Sequence, residues 1–149
     1  LGSDHASSGI VDLVQEMRLV AGGYKEVRED AAVMPPERVL EMATVHGARC
    51  AGRADEVGAL EVGRAGDLVL FDTARPEWQP LYNPVANLVY SASGRSVHTV
   101  IVGGRVVVES GRALTLDEEA VIASARKRAA GLLKRTGLGP LVVPRWPVS

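Results

Sequence analysis

The sequence predicts an α/β chain in which two helices come first, short strands follow, and one more helix closes. Three observations carry that reading. Apolar residues recur in steps of three and four from Ile10 to Ala21, and apolar residues line a second stretch from Val39 to Ala48. Glycines such as Gly58, Gly63, Gly66, Gly103 and Gly104 then divide the chain into short apolar runs, the mark of strands and turns. A charged segment from Asp117 to Arg135 begins with acids and ends with bases, as a helix macrodipole favours. Strands grouped after helices suggest packed units rather than one alternating βαβ domain.

The first helix is expected from Ile10 to about Glu29, with Ser7 or Ser8 as N-cap, Asp12 in the first turn, and Gly22-Gly23 weakening its end. The second starts at Pro35-Pro36, because proline suits the first helical position, and stops at Gly52. Leu68-Val69-Leu70-Phe71 and Leu88-Val89-Tyr90 read as short buried strands. The proline-rich stretch between them reads as an ordered loop, anchored by Trp78, Tyr82 and Tyr90. Val100-Ile101-Val102 and Val106-Val107-Val108 flank Gly103-Gly104-Arg105 and should pair as an antiparallel hairpin. Ser110-Gly111-Arg112 marks the next turn, and the tail from Gly137 should run along the surface.

Composition narrows the function. The 149 residues are 46% hydrophobic, enough for a core. Lys+Arg number 17 against 18 Asp+Glu, so neither a nucleic-acid stripe nor an acidic disordered tail is present. A single cysteine excludes an internal disulfide and favours a reducing, cytoplasmic setting. No apolar run reaches the ~20 residues of a membrane span. The opening Leu1-Gly2-Ser3-Asp4 lacks an initiator Met or signal features and reads as a strand end entering a polar loop, so a fragment of a longer chain is expected.

Few residues suggest chemistry by themselves. Asp4, by its position alone, reads as a loop or capping carboxylate near the start of the first helix. His5 either contacts substrate or is a surface histidine. Ser7 and Ser8 read as caps, since no His/Asp pair is near to activate them. His46 and His98 read as structural, because three scattered histidines lack metal-site spacing. Cys50 reads as a small buried residue. Gly103-Gly104 lies in a hairpin rather than at a strand-to-helix turn, which argues against a dinucleotide site. The basic run Arg126 to Arg135 reads as a solvated face.

Five stretches, in order, resemble the C-terminal part of the amidohydrolase superfamily, in its branch of chlorohydrolases and of adenosine-like, guanine-like and triazine deaminases. Leu1-Gly2-Ser3-Asp4 resembles the end of the eighth barrel strand, and Gln15-Glu16-Met17-Arg18 the helix after it. Met42-Ala43-Thr44-Val45-His46-Gly47-Ala48-Arg49 resembles the family's Met-Ala-Thr-x-x-Gly-Ala-Arg helix. Gly58-Ala59-Leu60-Glu61-Val62-Gly63 through Asp67-Leu68-Val69 resembles the lead into its accessory sandwich, with Gly66 where alanine is frequent. Val102-Gly103-Gly104-Arg105 resembles its hairpin.

The resemblance implies the last strand and closing helices of a (β/α)8 barrel in residues 1–52, the C-terminal share of a small β-sandwich in 53–115, and a C-terminal helix and tail in 116–149. It implies a metal-dependent hydrolase that deaminates or dechlorinates a nitrogen heterocycle, through a metal-activated water that attacks an electron-poor ring carbon. Asp4 would be the catalytic carboxylate and a metal ligand, His5 a substrate contact, and zinc the metal, with iron as the alternative. The family's His-x-His pair does not occur here, so most ligands would come from the missing N-terminal part of the same protein, and this chain alone would be inactive. Its partners would be that missing part and a small heterocyclic substrate, with no nucleic acid and no membrane; a homo-oligomer is compatible. The rival reading is a non-catalytic structural or interaction module derived from such a hydrolase.

Overall fold

The computed structural model describes residues 1–4, 9 and 11–143. The chain divides into two compact units, Leu1–Arg112 and Ala113–Ser149. In the first unit, helix α1 spans Leu13–Arg28, α2 Pro36–Ala43 and α3 Val45–Cys50. Strand β1 is Leu68–Phe71, helix α4 Pro84–Tyr90, β2 Val97–Val102 and β3 Arg105–Glu109. The two residues Arg112–Ala113 form β4, and α5 covers Glu118–Thr136 in the second unit. The four strands form one sheet in the order β1-β2-β3-β4, with antiparallel β1–β2 and β2–β3 pairs.

Helix α1 starts later than its apolar stripe suggests. Asp12 is the N-cap itself, accepting from the Val14 and Gln15 N–H groups at 2.9 and 3.4 Å. Ser7, Ser8 and Ile10 lie outside the described residues. Gly22-Gly23 does not end the helix, which continues to a left-handed Glu29 (φ 51°). Burial of Val14, Met17 and Ala21 along one face outweighs the roughly 1 kcal/mol per glycine that helix propensity charges against it.

The second expected helix is two helices. Thr44 Oγ1 donates to the Leu40 carbonyl at 2.8 Å, and Thr44 leaves helical geometry (ψ −95°). A threonine hydroxyl bonded back one turn bends a helix. The path resumes as α3 and ends before Gly52, as expected.

Leu88-Val89-Tyr90 is helical, against the expectation of a strand. Asn83 caps α4 by accepting from the Val85 and Ala86 N–H groups at 3.0 and 3.1 Å, and Pro84 supplies a preset first helical residue. An apolar triplet has no periodicity of its own, so the cap decides its form.

The hairpin forms as its sequence predicts. Val100 faces Val108, and Val102 faces Arg105. Gly103 and Gly104 both have positive φ, 55° and 76°, which a two-residue primed turn requires. The Gly104 N–H donates to the Gly66 carbonyl at 2.9 Å, and Asp67 Oδ1 accepts from the Gly103 N–H at 2.6 Å, so the segment entering β1 clasps this turn.

The core lies among the helices. Val14, Met17 and Ala21 of α1 meet Val39 of α2, Val89 of α4, Trp78 and Ala92. Each large apolar side chain so buried contributes about 1.5–3 kcal/mol. Phe71 at the end of β1 packs on Trp78 with ring centroids 5.6 Å apart, joining sheet to helices. Of the three aromatics expected to anchor the loop, only Trp78 does so. Tyr82 is 90% exposed and Tyr90 is also exposed, because α4 turns one face to Val39 and the other outward. In the second unit α5 has Asp117 as N-cap and no buried residue, so its basic half is solvated, as the sequence suggests. Among the described residues no helix is long and apolar enough to cross a membrane.

Candidate functional site

Asp4 is the residue from which a site would be built. Residues 1–4 carry no regular secondary structure, whereas the sequence suggests a strand end at Leu1-Gly2. A strand exists only through a neighbour's ladder, and the four described strands are paired elsewhere. The Leu1 nitrogen donates to the Met42 carbonyl at 3.3 Å, tying this segment to the last turn of α2. Asp4 is exposed and left-handed, with φ 58°, a conformation that Asp tolerates better than most residues. His5 lies outside the described residues, as do Ser7 and Ser8.

The other residues weighed from the sequence are scattered. His46 is half-buried on α3, and His98 is exposed on β2, where its Nδ1 meets Thr99 Oγ1 at 2.8 Å. Cys50 is exposed rather than buried, because α3 ends there and Ala48 takes the inward position. Among the described residues no group of three or more His, Cys, Asp or Glu side chains could hold a metal ion. A zinc site takes three or four protein ligands. The described residues therefore do not form one by themselves.

Two shifted ionisable groups have local causes. The Ser96 hydroxyl holds Glu77 below its ordinary carboxylate value, and Glu56 raises Arg53. An open apolar hollow of about 330 Å³ in the first unit, lined by Val69, Leu70, Phe71, Trp78, Val85 and Leu88, offers no acid or base.

Asp12 makes a long-range bond that no local sequence pattern announces. The second carboxylate oxygen of Asp12 accepts from the Gly94 N–H at 3.1 Å, across 82 positions. One turn and a half along α1, Arg18 donates to the Ala92 carbonyl at 3.0 Å. The first turn of α1 is thus strapped to the segment that enters β2. From the sequence Asp12 reads only as a favourable first-turn acid, and nothing in the run Ser91 to Ser96 announces its partner.

The sequence profile of the amidohydrolase family matches residues 1–107, and the chain belongs to that family. It is 44% identical over 135 residues to a 5-methylthioadenosine/S-adenosylhomocysteine deaminase of Desulforudis audaxviator, covering 90% of this chain and 31% of that protein. An S-triazine hydrolase of Gordonia rubripertincta is 35% identical over 144 residues, 93% of this chain and 30% of the relative. Among solved structures, an adenosine deaminase from Xanthomonas campestris with bound zinc superposes at a TM-score of 0.79 with 34% identity, over 82% of this chain and 28% of that one. An atrazine chlorohydrolase from Arthrobacter aurescens complexed with zinc gives 0.70 with 27% identity, over 76% and 25%. The chain thus spans under a third of the length of these relatives, and its α/β fold with an antiparallel four-stranded sheet is similar to theirs.

Proposed function

We propose that this chain is the C-terminal part of a hydrolase that deaminates an amino-substituted nitrogen heterocycle of the adenine-nucleoside kind. The carrying observation is 44% identity, over 90% of the chain, to a deaminase of adenosine derivatives. Dechlorination of a triazine is the second reading, favoured by the similarity to the triazine hydrolase.

In this reading, residues 1–52 close a (β/α)8 barrel, 53–115 give the C-terminal share of a β-sandwich, and 116–149 form a terminal helix and tail. The apolar residues left exposed on the strands, Val69, Leu70, Val102 and Val106, support a sheet built to be covered. We assign zinc, with iron as the alternative, to the whole protein. Such a metal supplies a water activated at neutral pH. Its ligand set would come mainly from residues outside this chain.

Asp4 is the group assigned to proton transfer. Its carboxylate takes a proton from the water that adds to the ring carbon and returns it to the departing amine, so a C–O bond forms as the C–N bond breaks and ammonia leaves. His5 is assigned to substrate contact beside it.

The test is direct. The full-length protein is purified, its zinc content measured, and ammonia and chloride release followed with adenine nucleosides and chlorinated or aminated triazines. Ammonia release from an adenine nucleoside is expected. Chloride release alone selects the second reading. A metal-free protein without turnover on either class overturns both and leaves a non-catalytic module.

A further inference from the structure

We infer that the outer edge of β1 takes a further strand, supplied by the part of the protein that precedes this chain, and that an apolar side chain of that strand fills the hollow beside Trp78; the inference rests on the reading of this chain as the C-terminal part of a longer hydrolase. Strand β1 stands at one end of the sheet, and among the described strands its only neighbour is β2. In an antiparallel pair, alternate N–H and C=O groups point away from the partner. Those of Leu68–Phe71 therefore line a free edge.

The two edges of the sheet differ. The far one is β4, only two residues long, whereas β1 is an unbroken run of four apolar residues. Short edges resist pairing, and an apolar edge without charge or proline invites it. Val69 and Leu70 are nevertheless 45% and 49% exposed.

The open hollow of about 330 Å³ lies along this same edge. Val69, Leu70 and Phe71 all line it. Successive side chains of a strand point to opposite faces, so a space reached by three in a row sits at the strand's side rather than on one face. The other side is taken by β2. Across the hollow stand Trp78 of the Pro76–Trp78 turn and Pro84 and Leu88 of α4. Such a slot suits an added strand, whose backbone pairs with β1 while alternate side chains enter the apolar pocket. A small-molecule site carries several placed polar groups. Here the described lining offers one hydroxyl, that of Thr73, and no charge.

The occupant must be a bare strand. Four residues of β1 pair with about 13 Å of extended chain, at ~3.3 Å per residue. This chain spans 31% of the matched deaminase, which leaves most of such a protein to supply that strand. A second copy fits worse. Its β1 carries the same wall of Trp78 and α4 beside its own free edge, and the two walls would meet before the strands could pair.

The test uses the full-length protein. Leu70→p-benzoylphenylalanine is irradiated in a mixture of isotopically light and heavy copies, and the crosslinked peptides are mapped by mass spectrometry. The expected crosslink lies within one copy and reaches a segment that precedes Leu1. Hydrogen exchange of the wild-type protein needs no substitution and decides the matter if the variant does not fold. An edge strand shows alternating fast and slow amides. With both sides paired, every amide of Val69–Phe71 should exchange within about tenfold of those of Val100–Val102, because one cooperative unit opens together.

Crosslinks between light and heavy copies overturn the inference in favour of a second copy. Crosslinks confined to residues 1–149, no crosslink at all, or alternating fast amides in β1 overturn it too. The outcome is independent of the chemistry. A metal-free, inactive protein with the expected crosslink and protection keeps this inference and overturns the deaminase reading, while an active zinc enzyme with a bare β1 edge does the reverse.

Discussion

The hydroxyl of Ser96, a fully buried residue, donates to Oε1 of Glu77 at 2.7 Å. The Ser96 carbonyl accepts from the Asp72 N–H at 2.8 Å, so this one residue ties the end of β1 and the Pro76–Trp78 turn to the entry of β2. The bond favours ionised Glu77 and holds its pKa below the ordinary value of 4.5. A group whose pKa is depressed by folding stabilises the protein above its unfolded pKa, and that contribution is lost as pH falls through the folded pKa. In the full-length protein, the stability difference between wild type and Glu77→Gln should therefore be constant from neutral pH down to about pH 5 and shrink below pH 4.5. Thermal midpoints measured across that range would contradict the assignment if the difference grew toward acid or did not change.

Trp78 is 3% exposed, and its Nε1–H is buried with no hydrogen-bond partner among the described residues. An unpaired buried donor costs about 1–3 kcal/mol. Trp78→Phe removes that donor and keeps a ring against Phe71, whereas Trp78→Ala opens a cavity and costs about 3–5 kcal/mol. Trp78→Phe should lose less than half as much stability as Trp78→Ala in urea unfolding of the full-length protein. Equal losses would mean that the donor finds an acceptor there in the whole enzyme.

The Gly103-Gly104 turn makes a finer prediction. A primed two-residue turn accepts Asn at its first position, and glycine is strongly preferred at its second. Gly103→Asn should leave Tm unchanged. Gly104→Ala, at φ 76°, should cost roughly 1–2 kcal/mol, and the reverse order of sensitivity would show a different turn in solution.

These elements differ in how far the sequence reveals them. The hairpin was legible because valine alternation and the glycine pair agree. The start of α4 was not: Leu88-Val89-Tyr90 suits a strand by composition, and only the Asn83-Pro84 cap before it makes it helical. Helix α1 was legible as a stripe but not in its bounds, since Asp12 can be read as a first-turn acid or as the cap. The break at Thr44 depends on one side-chain hydroxyl choosing the Leu40 carbonyl, which periodicity does not register. The candidate site rests on Asp4 by resemblance alone. The bond from the Gly94 N–H to Asp12 joins residues so far apart in sequence that it has no local signature.

Metal binding separates this chain from the enzyme to which we assign it. Among the described residues no cluster of three ligands exists, and a catalytic zinc needs three protein ligands beside its water. The 149-residue chain expressed alone should hold no zinc after dialysis against a chelator and should release no ammonia. One equivalent of retained zinc with turnover would contradict the assignment of the ligand set to the rest of the protein.

Asp4→Asn in the full-length enzyme tests the assigned chemistry most directly. The substitution keeps the side chain's shape and an oxygen that can still face a metal, so folding and most of the zinc should remain. It removes the basic carboxylate. If Asp4 takes the proton of the attacking water and returns it to the leaving amine, both events lose their agent, and turnover should fall by at least ~10²-fold, the low end for a positioned acid or base. A purely capping Asp4 predicts otherwise, because Asn caps a helix or turn about as well as Asp. The structure sharpens this contrast: the N-cap of α1 is Asp12, so Asp4 is not needed for that duty. Its left-handed backbone (φ 58°) is equally open to Asn, so the variant introduces no new strain. A turnover loss with unchanged Tm and zinc content would then reflect the lost base alone, while wild-type-like turnover would remove Asp4 from the reaction.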